Sequence, residues 1–388
     1  MSSSSSVSVI IPTFNRAGFL RESVTSVLTQ TRPPLEVIVV DDGSTDDTRE
    51  VIRGFGRDVV YIRKDNGGKS SALNLALPQA RGDYLWFFDD DDVALPDAIE
   101  RRLEVLNARP DLAWLFSSYY YGRTGPDGRI VRGEQRRIRV RPESDLLHRL
   151  LMKYFFSLES CLIHRDCFAR IGAFDESLLR SQDYDFLIRL AHGCPFSGIE
   201  APTFIVRIHG GPRGPLADRH AVASRHRVWS EYDRRIGRRV RERFRLSDFA
   251  KHSEDAAADP LADRRLALIR RAAVMASKGL IAEAIDDCVE ASTINAPPLE
   301  NEERILCERL LRFPYFWFSY AEEAPAFWRG VRALLKTTVG REILMLYCIA
   351  LVHQAKWHDD RVSQRVRHVA MSLRILAECC VLGWRFGG

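Results

Sequence analysis

Asp89-Asp90-Asp91-Asp92 follows five hydrophobic residues, Tyr84 to Phe88, so four carboxylates crowd at the mouth of a buried strand. Their mutual repulsion is costly without a cation. Hard divalent ions such as Mg²⁺ or Mn²⁺ take oxygen ligands and complete their shells with substrate phosphates, so such an ion would bridge the chain and a nucleotide diphosphate. Alternation along an extended chain puts Asp89 and Asp91 on one side, which predicts that pair as metal ligands with Asp92 in reserve. A second acidic turn, Asp41-Asp42-Gly43-Ser44-Thr45-Asp46, has the composition of any turn. Its place after a second buried strand adds a functional reading, in which a carboxylate accepts hydrogen bonds from a nucleobase or ribose. Asn66-Gly67-Gly68-Lys69-Ser70 is not a nucleoside-triphosphatase loop, because Arg63 stands where that loop needs its first glycine.

These residues need strands that end together. Val7 to Ile11 is β-branched and ends at Pro12, and Phe19-Leu20, Val24 and Val27-Leu28 then recur at helical spacing. Pro33-Pro34 breaks that helix, and Val37 to Val40 is a continuous apolar run, as expected of a strand buried on both faces. The pattern repeats with Val59 to Ile62, a helix over 69–80, and Tyr84 to Phe88. Strands alternating with helices predict a parallel sheet, in which ligands bind beyond the carboxyl ends where both acidic clusters fall. Ile99, Leu103 and Leu106 predict a further helix, Trp114 opens another strand, and Pro126-Asp127-Gly128 predicts a hairpin returning through Ile130-Val131, which makes the sheet mixed. Ser181 is the predicted N-cap of a helix running through Leu190.

A chain of 388 residues predicts about two domains. The expected division is a disordered Ser-rich N-terminus over 1–6, an α/β domain over 7–250, and an all-α domain over 251–388 of unassigned role. Ala272 to Ala291 has the look of a helix-turn-helix unit within the last. Hydrophobic and charged fractions of 46% and 28% are those of an ordinary globular chain and exclude collagen-like, mucin-like and wholly disordered classes. A net charge of +5 is too balanced for a dedicated nucleic-acid binder. Charge is uneven, however: Arg207 to Arg245 holds 12 arginines against Asp218, Glu231, Asp233 and Glu242, which reads as a solvated helix face, a site for a phosphate-bearing substrate or contact with an anionic membrane. The eight cysteines lack zinc-site spacing and read as reduced thiols of a cytoplasmic protein. No secretory signal is expected after Met1, and the apolar run Ile343 to Val352 is about half the length that spans a bilayer. Membrane contact, if any, is then peripheral, at the inner face.

Four segments together resemble the inverting glycosyltransferases of family 2, which have the GT-A fold. Val9-Ile10-Ile11-Pro12-Thr13-Phe14-Asn15-Arg16 is similar to the family's opening strand and loop, and Val39 to Asp46 to its nucleotide-binding turn. Asn66 to Asn74 resembles the segment beside the donor, and Gly82 to Asp92 the strand carrying the metal motif. The resemblance spans roughly Val7 to His209, about half the chain. It implies an α/β GT-A mixed sheet flanked by helices, followed by an all-α C-terminal domain. It also implies donor contacts from Pro12, Thr13, Asn15, Arg16, Asp41, Asp42, Lys69, Asn74, Asp89 and Asp90, with Asp89 and Asp91 on Mg²⁺ or Mn²⁺.

By the same resemblance Ser181 to Asp185 carries the catalytic base, assigned to Asp183, where Gln182 replaces the acidic first member of the family's pair. A helix N-terminus favours an ionised carboxylate and lowers its basicity, so this base needs desolvation or a neighbouring carboxylate such as Asp185. Arg207-Ile208-His209 is similar to an ending found in family members, with His209 meeting the metal or diphosphate and Arg207 neutralising the leaving phosphate. The expected reaction moves a sugar from a nucleotide-diphosphate donor to an acceptor hydroxyl, inverting configuration, in polysaccharide, lipid-linked or cell-surface glycan synthesis. The acceptor classes are glycan, lipid-linked and protein; nucleic acid is not among the partners, and a homo-oligomer stays open. The competing readings are a nucleotidyltransferase, which lacks a glycine-rich opening loop here, and a non-catalytic nucleotide-binding scaffold.

Overall fold

The computed structural model describes residues 5–140, 145–209, 225–250, 259–295, 297–310, 316–357 and 370–377. The first part of the chain runs β1 (Val7–Thr13), α1 (Ala17–Leu28), β2 (Glu36–Asp41), α2 (Thr48–Arg53), β3 (Val60–Arg63), α3 (Lys69–Ala76), β4 (Tyr84–Phe87), β5 (Val93–Ala94), α4 (Ala98–Ala108), β6 (Trp114–Thr124), β7 (Ile130–Arg136), α5 (Leu146–Met152), β8 (Cys161–His164), α6 (Asp166–Ile171), α7 (Gln182–Gly193) and β9 (Phe196–Arg207). Helices follow: α8 (Arg225–Arg243), α9 (Pro260–Ser277), α10 (Ile281–Ser292), α11 (Asn301–Arg309), α12 (Phe316–Leu334) and α13 (Thr338–Trp357).

The strands form one mixed sheet in the order β3-β2-β1-β4-β8-β6-β9-β5, with β7 paired to β6. β3, β2, β1 and β4 are parallel, so their carboxyl ends share one edge. β8 then runs antiparallel between β4 and β6, giving the predicted change to mixed order. All of β1 and β4, and all of β2 after Glu36, are buried, which accounts for their unbroken apolar runs. On α1 the buried residues Leu20, Ser23, Val24 and Val27 fall at i, i+3, i+4 and i+7, one stripe facing the sheet. Ile99, Leu103 and Leu106 of α4 join the same core. The helix predicted over 69–80 is α-helical only to Ala76 and tightens into a 3₁₀ turn at Leu77–Gln79, where Pro78 has no amide to continue the ladder.

Packing divides the chain into two compact units, 1–150 with 154–219 and 151–153 with 220–388. The second takes in α8, which the division expected at 250 assigns to the first. Within it α9 and α10 flank the short turn at Lys278 to Leu280, the helix-turn-helix unit expected over 272–291. Asp259 caps α9 by accepting from Leu261 N and Ala262 N. Buried charges in this unit are paired: Asp287 lies between Arg241 and Arg271, and Arg265 meets Glu303.

Residues 1–4 of the expected disordered tail lie outside the described residues, whereas Ser5 and Ser6 are held in place. Ser6 donates through N and Oγ to Asp83 Oδ2 (2.8 and 2.7 Å), and Ser5 Oγ to Asn107 Oδ1 (3.0 Å). Cys161, Cys167, Cys194, Cys288, Cys307 and Cys348 are buried and form no disulfide among the described residues; Cys379 and Cys380 lie outside them. Part of the arginine-rich stretch, 210–224 with Gly210 and Gly211, also lies outside them. No helix among the described residues is long and apolar enough to cross a membrane.

Candidate active site

The loops after β2, β1 and β4 lie side by side on the sheet edge. At the end of β2, Asp41 is 1% exposed; its Oδ1 accepts from Ser44 N (2.7 Å) and its Oδ2 from the Tyr61 hydroxyl (2.5 Å). Burial and this carboxylate push the Tyr61 phenol up to about 12. Asp42 accepts from Gly67 N (2.9 Å), Gly68 N (2.7 Å) and Lys64 Nζ (2.8 Å). Gly43 sits at φ +85°, and a Cβ there would lie 2.9 Å from Asn66 N, so this close approach needs glycine. The two aspartates predicted to meet base and ribose thus tie two loops together.

The loop after β1 joins both acidic turns. Asn15 adopts φ 54°, a left-handed conformation that asparagine tolerates, and its Oδ1 accepts from Thr45 N (2.7 Å) while its N donates to Ser44 Oγ (2.9 Å). Arg16 turns the other way, donating to Asp91 and lying 3.7 Å from Asp90. Pro12 and Thr13 are the last, buried residues of β1, and Thr13 O accepts from Asp42 N (2.9 Å).

β4 ends at Phe87 and Asp90-Asp91 form a turn, so the alternation that singled out Asp89 and Asp91 does not operate. The turn itself brings these two together: ligand oxygens of Asp89, Asp91 and Asp92 lie within 4.8 Å of one another. Burial pushes Asp90 up to about 7, with Arg16 opposing and Asp91 and Asp89 reinforcing. Three carboxylate oxygens this close together fit a hard divalent cation. His209 joins the cluster, with Nε2 2.8 Å from Asp91 Oδ2 and its ring packed on Phe19.

Lys69, the first residue of α3, connects this cluster to α7. Its Nζ lies 2.8 Å from Asp89 Oδ1, 3.2 Å from Asp183 Oδ2 and 3.6 Å from Glu159 Oε1. Burial opposes its charge, but Asp183, Asp89 and Glu159 together raise Lys69 well above its ordinary value. Burial pushes the Asp183 carboxyl up, with Lys69 opposing and Asp89 reinforcing. Asp183 Oδ1 is buried without a hydrogen-bond partner, as is Gln182 Oε1. The neighbouring carboxylate is therefore Asp89; Asp185 instead pairs with Arg189 one turn along α7 (2.8 Å). Ser181 occupies the N-cap position without a side-chain cap bond and at φ 57°, local strain at the start of the helix that carries Asp183.

Sequence reasoning missed Glu159. It sits in a 3₁₀ turn, Leu158–Ser160, buried beside Lys69. Burial and Asp89 raise its carboxyl well above the usual range, with Lys69 opposing, and it shares a side-chain hydrogen bond with Asp89. Although burial opposes ionisation of Asp89, Lys69 and this hydrogen bond hold it down to about 2.

Two predicted donor contacts have other occupations. Asn74 Nδ2 donates to Phe174 O (2.9 Å) and Glu176 Oε1 (2.8 Å), and its Oδ1 accepts from Phe174 N (2.9 Å). It pins the loop before α7, because its amide matches the exposed backbone pair of Phe174. Arg207 is fully buried: it donates from N to Asp92 Oδ1 (2.9 Å), from Nε to Asp91 O (2.8 Å), to Thr124 Oγ1 (2.9 Å) and to Glu22. A guanidinium so engaged braces the acidic turn and has no face left for a leaving phosphate.

Residues 8–176 match the profile of Glycosyl transferase family 2. An uncharacterized glycosyltransferase of Rickettsia prowazekii is 34% identical over 184 residues, 46% of this chain and 56% of that protein. One from Methanocaldococcus jannaschii is 31% identical over 206 residues, 50% of this chain and 68% of that protein. The chain thus spans about half to two thirds of the length of these curated relatives. The crystal structure of S. aureus TarS superposes with a TM-score of 0.51 at 18% identity, over 83% of this chain and 54% of that one. The fold is the expected GT-A arrangement, a mixed sheet flanked by helices with an all-helical region after it. The chain belongs to glycosyl transferase family 2.

Proposed function

We propose that the chain moves a glycosyl group from a nucleotide-diphosphate sugar to an acceptor hydroxyl during glycan synthesis, by a single in-line displacement that inverts the anomeric carbon. The observation that carries this reading is Lys69 standing between two carboxylates of opposite character: Asp89, held down to about 2, and Asp183, pushed up. A pair of carboxylates with separated affinities divides the work of cation binding and proton removal. Asp183 takes the acceptor proton on its unpartnered Oδ1, while Lys69 anchors Oδ2 and keeps the carboxylate aimed. Asp89 and Asp91, with His209, hold Mg²⁺ or Mn²⁺, which when bound supplies positive charge to the departing diphosphate. Arg16 contributes a guanidinium of the chain's own beside those carboxylates, suited to a donor phosphate. Asn15, Asp41 and Asp42 shape the loops against which the nucleoside rests.

Replacement tests the roles. Asp183→Asn removes the base and is expected to lower donor turnover by about 10²–10⁴-fold, and Asp91→Asn to weaken activation by Mn²⁺. Nucleoside diphosphate, not pyrophosphate, is the expected product, which separates transfer of a sugar from transfer of a nucleotide. Wild-type, metal-dependent turnover in both folded variants would refute the assignments.

A further inference from the structure

The β6–β7 hairpin carries charge that the site does not use. Arg123, Arg129, Arg132 and Arg136 are all exposed on it, against the acidic residues Asp127 and Glu134. Asp127 is engaged in the turn, where its Oδ1 accepts from Arg129 N (3.1 Å). Arg132 lies over the Tyr120 ring at 4.8 Å, on the face it shares with Gly122. Arg123, Arg129 and Arg136 make no ion pair or side-chain hydrogen bond among the described residues. Like charges on one two-stranded ribbon repel one another beyond what solvent and salt screen, and an anionic partner relieves that repulsion.

The root of this hairpin is built into the acidic site. Gly122 O accepts from Ile208 N (2.8 Å), and Thr124 Oγ1 accepts from Arg207, whose Nε donates to Asp91 O (2.8 Å). One residue therefore joins the ribbon to the cation-binding turn, and His209 follows two positions later. We infer that the β6–β7 hairpin docks an anionic acceptor, a glycan chain bearing carboxylate or phosphodiester groups, and leads it toward Asp183. This rests on the glycosyl-transfer reading above. A chain-like ligand fits better than a bilayer, because Val131 is the one large apolar side chain of the hairpin that is strongly exposed, whereas arginine stacked on tyrosine suits a ligand carrying both sugar faces and anions.

The test uses the full chain and a variant with Arg123→Gln, Arg129→Gln, Arg132→Gln and Arg136→Gln, beside its lysine counterpart. Binding is measured to immobilised polygalacturonate, poly(glycerol phosphate) and neutral dextran, and to phosphatidylglycerol vesicles. Expected is binding of one polyanion about tenfold or more above dextran, loss of about tenfold in the glutamine variant, and retention in the lysine variant. The two polymers tell carboxylate from phosphodiester. Equal binding by the wild-type and glutamine chains, equal binding of dextran, a lysine variant as weak as the glutamine one, or a loss confined to vesicles overturns the proposal. Donor hydrolysis with Mn²⁺, followed in the same samples, keeps the two readings apart. Arginine-dependent polyanion binding without hydrolysis would remove the enzymatic reading and with it the acceptor role, leaving an anion-binding hairpin; hydrolysis without such binding would overturn the docking surface alone.

Discussion

Lys69 is the side chain on which the proposed chemistry turns, because its ammonium pairs with the proposed base at 3.2 Å. Asp183 must be ionised to accept a proton, so the rate rises with pH as that carboxyl loses its own. Burial raises its pKa and Lys69 lowers it, which fixes the sign of an experiment. The acid limb of kcat is expected above the ordinary aspartate value of about 3.9, and Lys69→Met should move it to higher pH still, since the lowering charge is gone. The limb reports the coupled cluster of Asp183, Asp89 and Glu159, so displacement between variants is the quantity to read. A lysine that merely supported the fold would lower the plateau and leave the limb in place. The sequence pointed to Asp89, Asp91 and Asp183 as candidates, because four carboxylates at a strand end and an acidic helix start are visible in composition and spacing. Glu159 was invisible: it lies between Leu158 and Ser160 in an irregular turn, with no periodicity to say which way it faces. Asn74 and Arg207 were visible, but the backbone and acidic-turn contacts they make were not, since an amide that grips a backbone and one that grips a ligand are spelled alike.

At the scale of elements, α3 is the beam between the two halves of the site. It begins with Lys69, touching Asp89 and Asp183, and carries Asn74, which holds Phe174 by both backbone groups. Phe174 in turn stacks on Phe186 of α7, with ring centroids 4.1 Å apart, so the helix bearing Asp183 is registered against α3 through one buried contact. Asn74→Ala leaves the Phe174 amide and carbonyl without those partners and should cost about 1–3 kcal/mol of stability. If the loop sets the pose of the proposed base and not the donor pocket, kcat should fall while the donor KM changes little; steady-state kinetics with a thermal melt checks both. A rise in KM at constant kcat would return Asn74 to the donor-contact role. The elements themselves were largely legible, because strands buried on both faces are unbroken apolar runs that stop abruptly. Their limits were less so: the α-helix predicted to residue 80 stops at Ala76, where proline chemistry overrides apolar spacing.

Across the whole molecule, the division into two compact units has a measurable consequence for ligand binding. Each unit has its own buried apolar core: Val9, Ile11, Val39 and Trp86 in the first, Leu268, Ile269, Val274 and Leu351 in the second. Separate cores permit separate cooperative transitions, and a ligand stabilises only the part that binds it in folded form. Every residue assigned here to donor, cation or base lies in the first unit, between Pro12 and His209. Uridine diphosphate with Mn²⁺ at a hundred times its dissociation constant adds about 2.7 kcal/mol, which for a unit of this size raises its midpoint by roughly 5–10 °C. Calorimetry of the full chain should therefore resolve two transitions, with one displaced by the nucleotide and the other fixed. Asp91→Asn should abolish the displacement and keep both transitions. A single transition moving as a whole would mean that α8 to α13 unfold with the sheet, and would make the helical unit part of the transferase fold.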